Sequence, residues 1–185
     1  MTASESVLPW LRLKSVPGIG NLIFRRLMDR FGTPSAVFEA PSNALLAVEG
    51  ITPRLVAALR KHRRTDRSSE REMEKAIRMG CQIVTQADSR YPDLLRQIPD
   101  PPPYLYLYGD TAAYPAMIAM VGSRNATSYG LTTTRRLSSE LARQGIAVVS
   151  GLARGIDTAA HEGALQGGGP TVAVLGSGLA RIYPR

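Results

Sequence analysis

Three short glycine turns hold the residues with the most chemistry to offer: Gly122-Ser123-Arg124, Gly151-Leu152-Ala153-Arg154-Gly155 and Gly176-Ser177-Gly178. Glycine lets a ligand approach backbone amides closely, and arginine adds a permanently charged fork of donors. That combination suits a phosphate-bearing ligand. Asp157 and His161 lie four residues apart on one helical face, the spacing of an acid–base pair. A carboxylate at a helix start is favoured there as a cap in any case, and His161 reads as a packed or hydrogen-bonded side chain. No cluster of His, Cys and carboxylates has metal spacing. No catalytic residue, metal or cofactor is therefore expected.

Each turn closes a short apolar run, Met117 to Val121, Ala147 to Ser150 and Thr171 to Leu175. Helical patterns separate the runs. One of them starts at a Thr127 or Ser128 cap, passes through Leu131, Leu137 and Leu141, and stops at Gly145. Short apolar runs alternating with helices predict an α/β fold, a Rossmann-like parallel sheet flanked by helices on both faces. Ligands of such sheets bind beyond the carboxyl ends of the strands, where all three turns fall. The first turn is not Gly-x-Gly-x-x-Gly and no acidic residue follows the second run to hold a ribose, which argues against a dinucleotide.

The chain before the sheet is mainly helical. Val16-Pro17-Gly18-Ile19-Gly20 leads into a run with Leu22, Ile23, Leu27 and Phe31 at helical spacing. Val48-Glu49-Gly50-Ile51-Thr52-Pro53 repeats the form, with Thr52 as cap and Pro53 at the first helical position. Two glycine hairpins between short helices predict an all-α helix-hairpin-helix domain over residues 1–66. Glu49 opposes a phosphate at the second hairpin. Residues 67–185 are assigned to the Rossmann-like domain. They include a helix from Glu70 to Met79 capped by Ser68 or Ser69, and strands at Gln82 to Thr85 and Tyr104 to Tyr108.

Lys and Arg number 23 against 15 Asp and Glu, a formal net charge of +8 in 185 residues, which leans toward a polyanionic partner. Arg60, Lys61, Arg63, Arg64, Arg67 and Arg71 concentrate charge near one junction and read as a solvated face or an electrostatic lip for DNA. Aromatic residues are only 6%, so an extended stacking platform is poorly supported. The single cysteine, Cys81, forms no internal disulfide, and no apolar run approaches the roughly 20 residues that span a bilayer. Met1 to Ser6 lacks the pattern of a secretory signal, so a cytoplasmic location and no membrane partner are expected.

Val121-Gly122-Ser123-Arg124, Val149-Ser150-Gly151-Leu152-Ala153-Arg154-Gly155-Ile156-Asp157, Ala160-His161 and Val174-Leu175-Gly176-Ser177-Gly178-Leu179 before Tyr183-Pro184 closely resemble the DprA/Smf family. The resemblance implies a bacterial protein that protects incoming single-stranded DNA in natural transformation and helps load the recombinase RecA onto it. It also implies a sterile-alpha-motif-like N-terminal domain and a homodimer of the complete protein. The DNA-binding residues expected are Gly122, Ser123, Arg124, Gly151, Arg154, Gly176, Ser177, Gly178 and Arg185. Family members continue beyond Tyr-Pro, so the chain is expected to be a fragment with an uncovered strand edge and partly exposed apolar faces.

Two other readings compete with DNA binding. A Rossmann-like hydrolase of the phosphoribohydrolase type would need a Pro-Gly-Gly-x-Gly-Thr turn and a following glutamate, and Gly167-Gly168-Gly169-Pro170 supplies neither. A protein-interaction scaffold would dock its partner on the helical bundle or the exposed sheet.

Overall fold

The computed structural model describes residues 3–65, 67–109, 114 and 116–182. The chain divides into two compact units, Met1–Thr111 and Ala112–Arg185.

The first unit opens with six helices: α1 (Ala3–Ser15), α2 (Asn21–Phe31), α3 (Pro34–Glu39), α4 (Ser42–Leu46), α5 (Pro53–Thr65) and α6 (Ser68–Arg78). Then come β1 (Gln82–Thr85), the single turn α7 (Asp93–Arg96) and β2 (Tyr104–Leu107). Apolar residues at helical spacing put Leu13, Phe24, Leu27, Val37, Leu45 and Leu59 into one core. Trp10 stacks on Phe24 with ring centroids 5.5 Å apart. Thr33 and Thr52 accept hydrogen bonds from the amides of Ala36 and Leu55, each at 3.2 Å, and so cap α3 and α5 just ahead of a proline.

Helix α1 contains Pro9, which removes one N–H from the ladder. The buried Trp10, Leu11 and Leu13 hold the helix nonetheless. Ser69 does not cap α6: it lies within that helix, buried, with its hydroxyl 3.2 Å from that of Ser15. The boundary drawn at 66/67 falls inside this unit, because α6 and β1 both pack on α1 and Arg12 pairs with Glu70. Arg60 of the basic run points inward, donating to the carbonyls of Phe38 (2.8 Å) and Ala40.

Strands β1 and β2 pair antiparallel with Val84 opposite Leu105. The buried Tyr91 donates to the Pro102 carbonyl at 2.7 Å, and Gln86 donates to the carbonyls of Pro101 and Pro102. The extended proline run is thereby fastened beside the hairpin. This pairing belongs to the first unit and is separate from the parallel sheet.

The second unit runs β3 (Met117–Ala119), α8 (Ser128–Arg143), β4 (Ala147–Ser150), α9 (Ile156–Gln166) and β5 (Thr171–Ala173). The three strands are parallel in the order β3-β4-β5, with Ile118 beside Val148 and Val148 beside Thr171. Strands β3 and β5 are shorter than their apolar runs, although Met120 and Val174 just beyond them still donate to the β4 carbonyls of Val149 and Ser150, each at 2.8 Å.

The expectation of helices on both faces needs correction. Two right-handed crossovers that step in the same direction place both helices on one side. Val148 packs with Ala160 and Ala164, and Thr171 bonds His161, so this row of the sheet faces α9. The alternate row turns away from it. Met117 in that row is 51% exposed, and Val121 and Val174 at the strand ends are 77% and 62% exposed. Among the described residues this face of the sheet carries no helix of its own unit.

Helices α8 and α9 lie unusually close. A β-carbon at Gly163 would stand 2.3 Å from the Arg135 carbonyl oxygen, and one at Gly167 would stand 2.5 Å from that of Ser139. Gly163 within α9 and Gly167 at its C-terminal cap thus clear a path for the backbone of α8. The Arg135 side chain bridges the pair by bonding Glu162 at 2.8 Å.

Candidate functional site

The first two glycine turns meet beyond the carboxyl ends of β3 and β4. Gly155 has φ +81, and a β-carbon there would lie 2.3 Å from the Ser123 oxygen and 2.8 Å from that of Arg124. The Ile156 amide donates to the Ser123 carbonyl at 3.2 Å. Gly122 completes the clasp, because a β-carbon on it would stand 2.6 Å from Ile156 Cγ1. Glycine thus serves both sides of the clasp, against backbone at Gly155 and against the Ile156 side chain at Gly122.

Each turn is also fixed from within. Ser123 Oγ accepts from the Asn125 amide at 3.1 Å, and Thr127 Oγ1 caps α8 by accepting from Gly130 at 3.1 Å. In the second turn Leu152 adopts φ 57, a left-handed conformation that is costly for a residue with a branched side chain. Two side chains from the start of α9 hold it. Asp157 Oδ2 accepts from the Ala153 amide at 3.3 Å, and Thr158 Oγ1 donates to the Ala153 carbonyl at 2.7 Å.

This scaffold opens a cavity of about 370 Å³ lined by Arg124, Asn125, Ala126, Leu131, Arg135, Arg154, Gly155 and Thr158. Arg124 and Arg154 are exposed and neither makes a hydrogen bond or ion pair among the described residues. Two uncompensated guanidinium groups face one opening, an arrangement that attracts anions and fits phosphate oxygens.

The residues singled out in the sequence separate into three groups. Arg124 and Arg154 line the cavity. Gly122, Ser123 and Gly151 build its rim: Gly151 leaves room for Asp157, whose Oδ2 would sit 2.8 Å from a β-carbon there. Gly176, Ser177 and Gly178 are exposed in a third turn and do not line the cavity. Arg185 lies outside the described residues, with Tyr183 and Pro184. Asn125, Arg135 and Thr158 join the lining without having been chosen as site residues. Arg135 is the eighth residue of α8 and Thr158 the third of α9, and the pairing of the two helices brings both to the opening.

The suspected acid–base pair is otherwise engaged. Asp157 holds the second turn, and His161 Nδ1 lies 2.7 Å from Thr171 Oγ1 in the helix–sheet layer. Burial lowers the His161 pKa, partly opposed by the Asp157 carboxylate. Among the described residues no group of three His, Cys, Asp or Glu could hold a metal ion. No helix among them is long and apolar enough to cross a membrane.

A three-stranded parallel sheet with helices and two clasped glycine–arginine turns at its strand ends defines the class: a mixed α/β protein. Residues 82–185 match the family of the DNA recombination-mediator protein A, and the chain belongs to that family. It is 35% identical over 180 residues to protein Smf of Synechocystis sp., covering 95% of this chain and 45% of that protein. It is 43% identical over 100 residues to the DNA processing protein DprA of Streptococcus pneumoniae, covering 53% of this chain and 35% of that one. The X-ray structure of DprA from Streptococcus pneumoniae superposes with a TM-score of 0.75 at 26% identity, over 100% of this chain and 62% of that chain. The chain thus spans less than half the length of these curated relatives.

Proposed function

We propose that the second unit binds single-stranded DNA, with the phosphate backbone passing over the clasped turns. The observation that carries this reading is the contact of Gly155 with Ser123, which brings Arg124 and Arg154 to one cavity with their charges unpaired. Phosphate contacts of this kind position a nucleic acid without reading its sequence. The net charge of +8 favours the same partner. Family membership extends the reading to DNA processing in natural transformation, with RecA loaded on the bound strand by a homodimer of the complete protein in the cytoplasm. Helices α1 to α5 are read as the sterile-alpha-motif-like hairpin domain. The role is one of binding rather than catalysis, a view supported by the structural duties of Asp157 and His161.

Fluorescence anisotropy with a labelled single-stranded oligonucleotide, across a salt series, tests the site. Arg124→Ala and Arg154→Ala should each weaken binding and lower the salt slope by about one. Unchanged affinity and slope in both variants would refute it.

A further inference from the structure

Arg135 lines the cavity beside Arg124 and Arg154, but it is held there in a different way. A β-carbon at Gly163 would stand 2.3 Å from the Arg135 carbonyl oxygen and 2.8 Å from its Cα, so α8 is seated on α9 at this residue. Glu162 immediately precedes Gly163. The contact that seats Arg135 therefore also delivers a carboxylate to its side, and Arg135 Nε donates to Glu162 Oε2 at 2.8 Å.

A guanidinium group is a planar fork with donors on more than one edge. The Nε bond occupies one edge, and the terminal amines of Arg135 make no hydrogen bond or ion pair among the described residues. Arginines that serve the fold behave otherwise in this chain. Arg60 gives both terminal amines to the carbonyls of Phe38 and Ala40, and Arg96 gives its own to those of Gln86, Asp88 and Tyr91. Arg90 spends Nε and both amines on Asp88 and Gln82. The pair of Arg135 with Glu162 is also partly exposed, at 39% and 46% of the side chains, and pairs so exposed stabilise a fold little.

We propose that Arg135 is a third phosphate contact of the cavity and that Glu162 is its positioning residue, holding Nε so that the terminal amines meet a phosphate of the bound strand. The inference rests on the reading of the cavity as a site for single-stranded DNA. Arg124 and Arg154 belong to turns, whereas Arg135 lies within a helix and is fixed at both backbone and side chain. One guanidinium fork can hold a carboxylate at one edge and a phosphate at another, a geometry that the ammonium group of lysine does not reproduce. Because the carboxylate offsets the charge of Arg135, the pair contributes direction more than net charge.

Anisotropy of a labelled single-stranded oligonucleotide, measured on the whole chain across a salt series, tests the inference. Arg135→Ala should weaken binding about tenfold at low salt and lower the salt slope by about one. Arg135→Lys keeps the charge and should recover little of the lost affinity. Glu162→Gln and Glu162→Ala remove the same charge, but only glutamine keeps an oxygen for Nε. Glu162→Gln should bind at least as tightly as the parent chain, and Glu162→Ala about threefold more weakly than Glu162→Gln. With Arg135→Ala added, that difference should vanish. An unchanged slope in Arg135→Ala, or full affinity in Arg135→Lys, would overturn the contact. Equal affinities of the two Glu162 variants would overturn the positioning role. If Arg124→Ala and Arg154→Ala weaken binding while Arg135→Ala does not, the single-strand site stands and this inference alone falls. If neither of those two weakens binding, the reading of the site falls with it.

Discussion

Gly155 and Ser123 touch backbone to backbone, so closely that a β-carbon on Gly155 would stand 2.3 Å from the Ser123 carbonyl oxygen. That contact joins the turn after β3 to the turn after β4. Gly155→Ala meets both the carbonyl and an unfavourable φ of +81. It should destabilise the second unit by about 2–3 kcal/mol and separate the two arginine-bearing turns. Urea unfolding and oligonucleotide anisotropy should register the two losses together. An alanine variant with wild-type stability would show that the turns are not locked.

Asp157 works on the same turn from the other side, through the Ala153 amide at 3.3 Å. Asp157→Ala removes the acceptor from a buried position and should cost about 1–2 kcal/mol. Asp157→Asn keeps an oxygen there and should lose less than half as much. Urea midpoints for the two variants decide the matter, and equal losses would assign the effect to the carboxylate's charge instead of its hydrogen bond.

The strands and the glycine turns were legible because their signals are local. β1 (Gln82–Thr85) and β4 (Ala147–Ser150) fall where their apolar runs fall, and Thr127 caps α8 as its position before a helical run required. What escaped the sequence depends on contacts between distant segments. Helix coverage of one sheet face follows from strand order, which no single run encodes. Arg135 and Thr158 reach the cavity only because Gly163 and Gly167 let α8 and α9 approach. Arg60, in a run that reads as a solvated face or an electrostatic lip, is drawn inward by the carbonyls of Phe38 and Ala40 from two helices earlier in the chain.

Gly163 offers a direct check on the helix pair. Gly163→Ala would drive a methyl group to 2.3 Å from the Arg135 oxygen, and backbone atoms yield less readily than a flexible side chain. Destabilisation of about 1–3 kcal/mol is expected, with loss of the Arg135 to Glu162 pairing as the helices separate. Anisotropy should report weaker oligonucleotide binding as well, because Arg135 lines the cavity. Stability lost without any change in binding would detach the cavity from the helix spacing.

His161 gives the second unit a pH response whose sign is fixed by hydrogen bonding. Thr171 Oγ1 donates to the Val148 carbonyl at 2.8 Å, so its proton is committed. His161 Nδ1 must then be the donor in the 2.7 Å contact with Thr171, which leaves Nε2 as a buried lone pair with no partner. The neutral ring is what the fold holds, and burial lowers its pKa from the ordinary 6.5, with Asp157 opposing in part. The unfolded chain takes up this proton as pH falls through about 6.5, while the folded chain resists until lower pH. The stability His161 confers is therefore complete above pH 6.5 and is lost progressively below it, until the folded pKa is passed. Urea midpoints between pH 7.5 and 5.5 should fall more steeply for this chain than for His161→Gln, a comparison that removes the contribution of every other titrating group. Parallel slopes would mean that the imidazole accepts its proton in the folded state as readily as in the unfolded one.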